Sequence, residues 1–137
     1  MRAVLLDAGP LVAILDRSDT AHAACCIALK KIRDPLVTVW PVLTEALYLL
    51  GFAWQAQEAL WEMVEAEAFR VCELDRTDVS RMKALMGKYR DLPMDLADAA
   101  LVAVAEREGI QRVFTLDRRD FGVYRTVGGK RLSVIPA

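Results

Sequence analysis

The feature that most restricts the fold of this chain is the alternation of short, largely apolar runs with longer amphipathic segments. The apolar runs occupy residues 3–6, 36–39, 71–74, 113–115 and 132–135. Runs of this length and composition are typical of strands that are buried on both faces. Strands of that kind, separated by helices, form a parallel sheet that is covered by helices on each side. The sequence therefore predicts an α/β fold, a three-layer α/β/α sandwich with a central parallel twisted sheet.

Local signals place the helices between these runs. Gly9-Pro10 permits a turn into a helix after the first run, and Asp34-Pro35 ends an alanine-rich helix that spans 19–33. Further helices are predicted over 41–50, 54–69, 76–90 and 95–108. No linker, repeat or low-complexity tract divides the 137 residues, which are enough for one hydrophobic core. We expect a single domain over 1–137.

Composition excludes several classes of protein and of site. No stretch of about 18 uncharged apolar residues occurs, and Asp7 interrupts the first apolar run, so neither a membrane span nor a secretory signal is expected. We expect a cytoplasmic protein with no membrane partner. His22 is the only histidine, which excludes a zinc site built from several imidazoles. The three cysteines, Cys25, Cys26 and Cys72, are predicted to be small core residues.

Four acidic residues stand in surroundings where solvation does not explain them. Asp7 lies between VLL and AGPLVAIL, and Glu45 lies in PVLTEALYLL, a helix that is apolar almost all round. Asp98 is embedded in MDLADAALVAVA, and Asp117 ends the run VFTLD. A buried charge is costly unless a partner neutralises it. Because ligands collect at the carboxyl ends of parallel strands, Asp7 and Asp117 are both placed where a ligand would bind.

Convergence of these four carboxylates would require a cation. Their mutual repulsion would raise their pKa values and destabilise the fold unless a divalent ion neutralised them. Hard oxygen ligands without histidine or cysteine select Mg²⁺ or Mn²⁺. Such ions take up substrate phosphates and lower the pKa of a bound water, which generates a nucleophile. The residues alone thus indicate metal-dependent phosphodiester chemistry.

Two further acids leave the ligand set open. Asp95 and Asp98 are three residues apart at a predicted helix start, so one is a candidate N-cap and the other a residue favoured by the helix dipole. Asp117 and Asp120 repeat this spacing. We take Asp98 and Asp117 as the ligands and keep Asp95 and Asp120 as alternatives. Glu45 has the alternative of a structural acid paired with an arginine.

Short motifs around these acids resemble those of the PIN-domain nucleases, especially the VapC-type toxins of toxin–antitoxin pairs. LLDAGPLVAILD is similar to the family's opening strand with its first metal acid, and TEALYLL to the helix that bears a glutamate. LADAALVAVAER and TLDRRDF are similar to the third and fourth motifs. The resemblance runs nearly end to end. It implies that Asp7, Glu45, Asp98 and Asp117 are the catalytic metal ligands, with Thr115 as a supporting hydroxyl.

The resemblance also implies an activity and its partners. It implies endonucleolytic cleavage of RNA with Mg²⁺ or Mn²⁺, a homodimer, and an antitoxin whose tail occupies the groove. Although the formal net charge of the chain is −1, residues 107–131 carry seven basic side chains against three acids. A solvated basic face is one interpretation of this segment. The other is that arginines hold RNA phosphates next to the metal, and the candidates are Arg112, Arg118, Arg119 and Arg125.

The three tryptophans bear on the partners as well. Trp40, Trp54 and Trp61 are candidates for stacking RNA bases, or for contacting a second copy of the chain or an antitoxin. Trp40 directly follows a predicted strand, so we expect it to pack in the core.

Three other functions remain as alternatives. The first is an RNA-processing or decay nuclease outside a toxin pair. The second is a phosphoryl-aspartate phosphatase or receiver domain, but Gly9 stands where the phosphatases need a second aspartate, and Lys130 is the only late lysine for a receiver. The third is a binding module that kept the fold without the chemistry. The presence of all four acids argues against that loss.

Overall fold

The computed structural model describes residues 2–136, in which strands and helices alternate as the sequence predicts. The strands are β1 (Val4–Leu6), β2 (Leu36–Val39), β3 (Arg70–Cys72), β4 (Arg112–Phe114) and β5 (Ser133–Ile135). The helices are α1 (Ala8–Leu15), α2 (His22–Lys31), α3 (Trp40–Leu49), α4 (Trp54–Glu65), α5 (Arg76–Lys88), α6 (Leu96–Glu108) and α7 (Arg118–Val123).

All five strands belong to one parallel sheet in the order β3-β2-β1-β4-β5. The central strand β1 is buried along its whole length, and its Val4 pairs with Leu36 of β2 and with Arg112 of β4. The prediction of a parallel sheet flanked by helices is confirmed. Because every strand runs in the same direction, the sheet has a carboxyl edge, where all strands end, and an amino edge, where all strands begin.

Helix α6 is the most deeply buried helix among residues 2–136. Nine consecutive residues, 97–105, are buried, and most of them are alanine or valine. Small side chains on every face let the helix lie against α3, α5 and β2 at the same time. This packing fixes the first turn of α6 in the interior, which explains how a charged residue, Asp98, comes to be only 8% exposed.

Three of the differences between the predicted and the observed elements have a clear cause. Helix α2 begins at His22 instead of residue 19, because the Asp19 side chain accepts a hydrogen bond from the Ala21 N–H and holds a turn outside the helix. Helix α4 ends at Glu65, before Glu67 adopts a left-handed conformation with φ of 54°. The short helix α7 was not predicted, because it lies in a charged segment without an apolar period.

Two predictions made from composition can be compared with the structure. Cys25 and Cys72 are buried and Cys26 is half-buried, and all three are free thiols. The prediction that they are core residues is thus confirmed for two of the three. Over residues 2–136, no helix combines the length and the apolar character needed to span a membrane.

Candidate metal centre at the carboxyl edge

Six carboxylates line one groove of about 450 Å³ at the carboxyl edge of the sheet. They include the four predicted ligands and both alternatives, Asp7, Glu45, Asp95, Asp98, Asp117 and Asp120. Among the described residues, no basic side chain lines this groove. The predicted convergence of the acids is therefore observed, and their role as metal ligands stays a prediction.

Asp7 is held rigidly at the end of β1, where it also caps α1. Its Oδ1 accepts a hydrogen bond of 2.8 Å from the Ala8 N–H, and its Oδ2 accepts one of 2.7 Å from the Thr115 hydroxyl. The Thr115 oxygen in turn accepts a bond of 3.0 Å from the Asp117 N–H. Burial raises the pKa of Asp7, the charges of Asp95 and Asp117 raise it further, and the two hydrogen bonds oppose the rise. Thr115 therefore occupies the predicted supporting position.

Asp98 is the acid whose protonation the site perturbs most clearly. Its backbone N–H donates to Asp95 Oδ1 at 2.8 Å, so Asp95 is the N-cap of α6 and Asp98 lies in its first turn. Burial, followed by the charges of Asp7 and Asp95, raises the pKa of Asp98 to about 8. A carboxyl group with such a pKa holds a proton near neutrality, and a bound cation would displace that proton.

Tyr124 is a site residue that sequence reasoning missed. Its hydroxyl donates a hydrogen bond of 2.8 Å to Asp98 Oδ2. The ring is buried against Tyr89 and Phe121, with centroids 5.1 and 5.2 Å away. No motif in the sequence marks this tyrosine, because the partner carboxylate lies 26 residues earlier in the chain. Burial and the bond to Asp98 raise the pKa of Tyr124, which keeps its hydroxyl a donor.

The fourth motif contributes two carboxylates. Asp117 Oδ1 accepts a hydrogen bond of 3.0 Å from the Asp120 N–H and so caps α7. Single carboxylate oxygens of Asp98, Asp117 and Asp120 all lie within 4.8 Å of one another. Burial and the neighbouring charge of Asp117 raise the pKa of Asp120. A carboxylate can therefore cap a helix and line the groove at the same time, as Asp95 and Asp117 do. Asp95 and Asp120, which were kept as alternative ligands, both line the groove.

Glu45 reaches the groove from an exposed face of α3, although the sequence of this helix is apolar almost all round. The helix turns only Val42, Leu43 and Ala46 fully into the core. Partial burial, together with the charges of Asp7 and Asp95, raises the pKa of Glu45. Within residues 2–136 Glu45 makes no ion pair, so the alternative of a structural acid paired with arginine finds no support.

Exposed apolar side chains stand on α3, on α4 and in the segment between them, and we call this set the α3–α4 patch. It consists of Trp40, Tyr48, Leu49, Phe52, Trp54 and Trp61. Trp40 is 49% exposed, so the prediction that it packs in the core is wrong. Trp40 and Tyr48 are eight residues apart and share the outer helix face, opposite Val42 and Ala46. Because Leu49 also lines the groove, the patch borders the acidic site directly.

The four predicted RNA-binding arginines do not form one group. Arg119 is exposed and lies beside Asp120, whose pKa its charge lowers. Arg118 donates to the Pro136 carbonyl oxygen at 2.5 Å, and Arg125 donates to three carbonyl oxygens at the end of α7. Arg112 begins β4 at the amino edge and forms an ion pair with Asp34. The prediction that Arg112 lies next to the acids is wrong, because β4 runs from this residue toward the groove.

The donors of the groove fit a hard divalent cation. Every ionisable side chain that lines it is a carboxylate, and three of them, Asp98, Asp117 and Asp120, already lie close enough to share one ion. Burial raises the pKa values of Asp7, Glu45 and Asp98, and the charges of neighbouring carboxylates raise them further. A cation would remove that repulsion, so the acidic cluster is suited to binding a metal ion.

Comparison with known proteins agrees with this geometry. Residues 4–126 match the model of the PIN domain. The chain is 30% identical to Ribonuclease VapC26 of Mycobacterium tuberculosis over 135 residues, 97% of this chain and all of the relative. Its fold resembles VapC20 of M. tuberculosis, a toxin that cleaves the sarcin–ricin loop, with a TM-score of 0.78 and 18% identity over 85% of this chain and 91% of that one. It also resembles VapBC2 of Rickettsia felis bound to promoter DNA, with a TM-score of 0.67 and 14% identity over 98% of both chains. The chain therefore belongs to the PIN-domain family.

Proposed function

We propose that this single-domain chain is a divalent-cation-dependent endoribonuclease that hydrolyses RNA phosphodiester bonds. The observation that carries the proposal is the convergence of six carboxylates in one groove that no basic side chain lines among residues 2–136. The name of the relative at 30% identity, a ribonuclease, supports the same activity. A groove of this composition repels RNA phosphates by itself, so substrate binding there requires a cation.

Each side chain of the proposed site has its own role. Asp7, Glu45, Asp98 and Asp117 would hold Mg²⁺ or Mn²⁺. Asp120 is a further candidate ligand, because its carboxylate lies within 4.8 Å of those of Asp98 and Asp117. When bound, the ion supplies an acidified water and stabilises charge on the scissile phosphate. Thr115 fixes the orientation of Asp7, and hydrogen bonds of this kind keep a ligand in its productive geometry.

RNA cleavage with added metal tests this proposal. Purified protein should cleave labelled RNA with Mn²⁺ or Mg²⁺ and stop when EDTA is added. Asp7→Asn should abolish cleavage while it keeps the cap of α1, because asparagine is also a good N-cap. Glu62→Gln, at an exposed acid of α4, is the matched control and should cleave normally. Equal cleavage by Asp7→Asn and the control would contradict the proposal.

We further propose that the chain acts in the cytoplasm as the toxin of a toxin–antitoxin pair. The proposal is supported by the identity to a VapC protein and by the fold shared with a chain of a VapBC assembly. Expression of the chain should halt growth, and co-expression of the protein encoded beside it should relieve the arrest. Asp7→Asn should not halt growth. If the neighbouring protein did not relieve the growth arrest, the toxin–antitoxin role would be excluded. The proposal of nuclease activity would be unaffected.

The α3–α4 patch supports a homodimer. Exposed aromatic side chains are enriched at protein interfaces. Tyr48 is 83% exposed, and the exposed rings of Trp40 and Trp61 lie against each other with centroids 6.3 Å apart. Replacing Tyr48 and Phe52 with glutamate should convert a dimer into a monomer in light scattering. Val79 and Val127 are exposed apolar residues outside the α3–α4 patch, and replacing both with glutamate should leave the dimer intact. A dimer that survives the first pair of substitutions would place the interface on another surface.

A further inference from the structure

An arginine stands at or just before the first residue of each strand. Because the strands are parallel, these side chains lie together at the amino edge, at the opposite end of the sheet from the carboxylates. Neighbouring strands are about 4.8 Å apart, so the arginines follow one another across the sheet. They are Arg2, Arg33, Arg70, Arg112 and Arg131.

Four cations of this edge line one pocket of about 630 Å³. Arg2, Lys31, Arg33 and Arg112 share it with a single acid, Asp34. A second pocket of about 320 Å³ adjoins the first through Gln111, and its lining adds Lys130 and Arg131. The two pockets therefore form one cationic surface that crosses β2, β1, β4 and β5.

The charge of the larger pocket is not balanced by the protein itself. Arg112 is ion-paired with Asp34. Within residues 2–136, Arg2, Lys31 and Arg33 form no ion pair, which leaves an excess of three positive charges. The far end of the edge is different, since Arg70 lies 3.4 Å from Glu108. Cations that outnumber the acids of a pocket favour an anionic ligand, because the ligand relieves their repulsion.

The side chains that line the two pockets are suited to binding several successive phosphate groups. Three of the four cations are guanidinium groups, whose planar forks match phosphate oxygens. No aromatic ring lines either pocket in the described part of the chain, so a free nucleotide would find no platform for its base. The cations are spread over several strands instead of surrounding one point. This arrangement fits a nucleic-acid backbone better than a small ligand.

We infer that the amino edge is a second RNA-binding site, which holds phosphates of the substrate backbone away from the point of cleavage. The identity of the ligand as RNA rests on the proposed ribonuclease activity. Strands of three or four residues are only about 10–13 Å long, so a folded RNA is large enough to contact both edges, whereas a very short oligonucleotide is not.

RNA binding without cleavage tests the inference. In the Asp7→Asn background, binding of a labelled stem-loop RNA is measured by fluorescence anisotropy at several salt concentrations. The pair Arg2→Glu and Arg33→Glu should weaken binding at least tenfold relative to the matched pair Arg76→Glu and Lys83→Glu on α5. The slope of log K against log salt should fall by about two units, one for each phosphate that the protein no longer neutralises. The neutral pair Arg2→Gln and Arg33→Gln repeats the comparison without new acids.

Cleavage adds an independent readout in the chain with Asp7 intact. The Arg2 and Arg33 pair should slow cleavage of the stem-loop while a short unstructured oligonucleotide is cleaved at the normal rate. The inference would be overturned if both charge-reversed pairs bound RNA with the same affinity and the same salt slope. It would also be overturned if no variant bound RNA. Saturable AMP binding that is abolished only in the Arg2 and Arg33 pair, with RNA binding unchanged, would overturn it in favour of a free nucleotide. Failure of the nuclease proposal appears separately, as wild-type protein that binds RNA without cutting it.

Discussion

The two edges of the same sheet carry opposite charge. The carboxyl edge gathers six carboxylates in one groove, and the amino edge gathers four cations around one acid. A formal net charge of −1 conceals this separation completely. The comparison teaches that net charge is a poor guide to the partners of this chain, because one edge presents only acids and the other presents an excess of bases.

Helix direction explains why the charges separate in this way. Helices α1 and α6 both begin at the carboxyl edge, where Asp7 and Asp95 cap them. Helix α2 ends at the amino edge with Lys30 and Lys31 in its last turn, and α6 ends near the same pocket at Gly109. The positive ends of helix dipoles favour acids and the negative ends favour bases. Each helix thus stabilises the charge that its own end presents.

The largest expected effect separates the two edges by activity. Asp98→Asn should lower RNA cleavage by more than about a hundredfold, because loss of residues that merely support metal ligands already costs up to that factor. Asp34→Asn, the matched change at the amino edge, should alter cleavage of a short oligonucleotide less than about twofold, since it breaks only a partly exposed ion pair. Similar losses in the two variants would remove the distinction between the edges.

The next effect concerns pH and the acidic edge alone. The pKa of Asp98, about 8 when folded, lies above the ordinary value of 3.8, so between these pH values the native state holds more protons than the unfolded state. Without metal, the free energy of unfolding should therefore fall by about 1 kcal/mol per unit as pH rises from 4 to 8.

Denaturant unfolding of EDTA-treated protein measures this dependence, and Asp98→Asn is the reference that lacks the group. Saturating Mn²⁺ should reduce the slope, because the ion favours the ionised carboxylates. A difference between wild type and Asp98→Asn that does not change with pH would show that Asp98 is not perturbed by folding.

A smaller effect is expected from the hydroxyl behind Asp98. Tyr124→Phe removes the hydrogen bond to Asp98 Oδ2 and keeps the packing against Phe121. We expect the affinity for Mn²⁺ to fall about tenfold, as for other groups that orient metal ligands. Tyr48→Phe, at an exposed ring, is the control and should bind Mn²⁺ normally. Isothermal titration calorimetry measures the Mn²⁺ affinity of both variants. Equal affinities would contradict this role for Tyr124.

The smallest effect distinguishes two arginines that sequence reasoning grouped together. Arg119→Gln should slow cleavage of a short oligonucleotide by up to about fivefold, the range of one exposed ionic contact. Arg112→Gln should leave that rate unchanged, because Arg112 lies at the amino edge. Initial rates on one short substrate are enough for the comparison. A larger loss in Arg112→Gln would mean that the short substrate reaches both edges.

The fold and the acids could be predicted because their signals are local. Each strand lies in or beside a short apolar run. Asp7 directly follows β1, and Asp117 stands three residues after the end of β4. The residues that hold the acids in place through hydrogen bonds could not be found from such local signals. Tyr124 meets Asp98 only through tertiary packing, and no spacing in the sequence reports a contact across 26 residues.

The exposure of Trp40 at the start of α3 was missed for a related reason. The sequence of this helix is apolar on nearly every face, but only the face with Val42, Leu43 and Ala46 meets the core. Periodicity can identify an amphipathic helix, and it carries no information about which apolar face a partner protein covers. The position of Arg112 was missed because a basic run in sequence is divided between the two edges once β4 and α7 are formed.

A calorimetric titration of the metal-free protein with Mn²⁺ tests the central claim most directly, since it asks whether the gathered carboxylates hold an ion at all. We expect saturable binding by the wild type and by Glu62→Gln, and an affinity at least tenfold lower for Asp7→Asn. No saturable binding by the wild type, or an unchanged affinity in Asp7→Asn, would contradict the assignment of this groove as a metal centre.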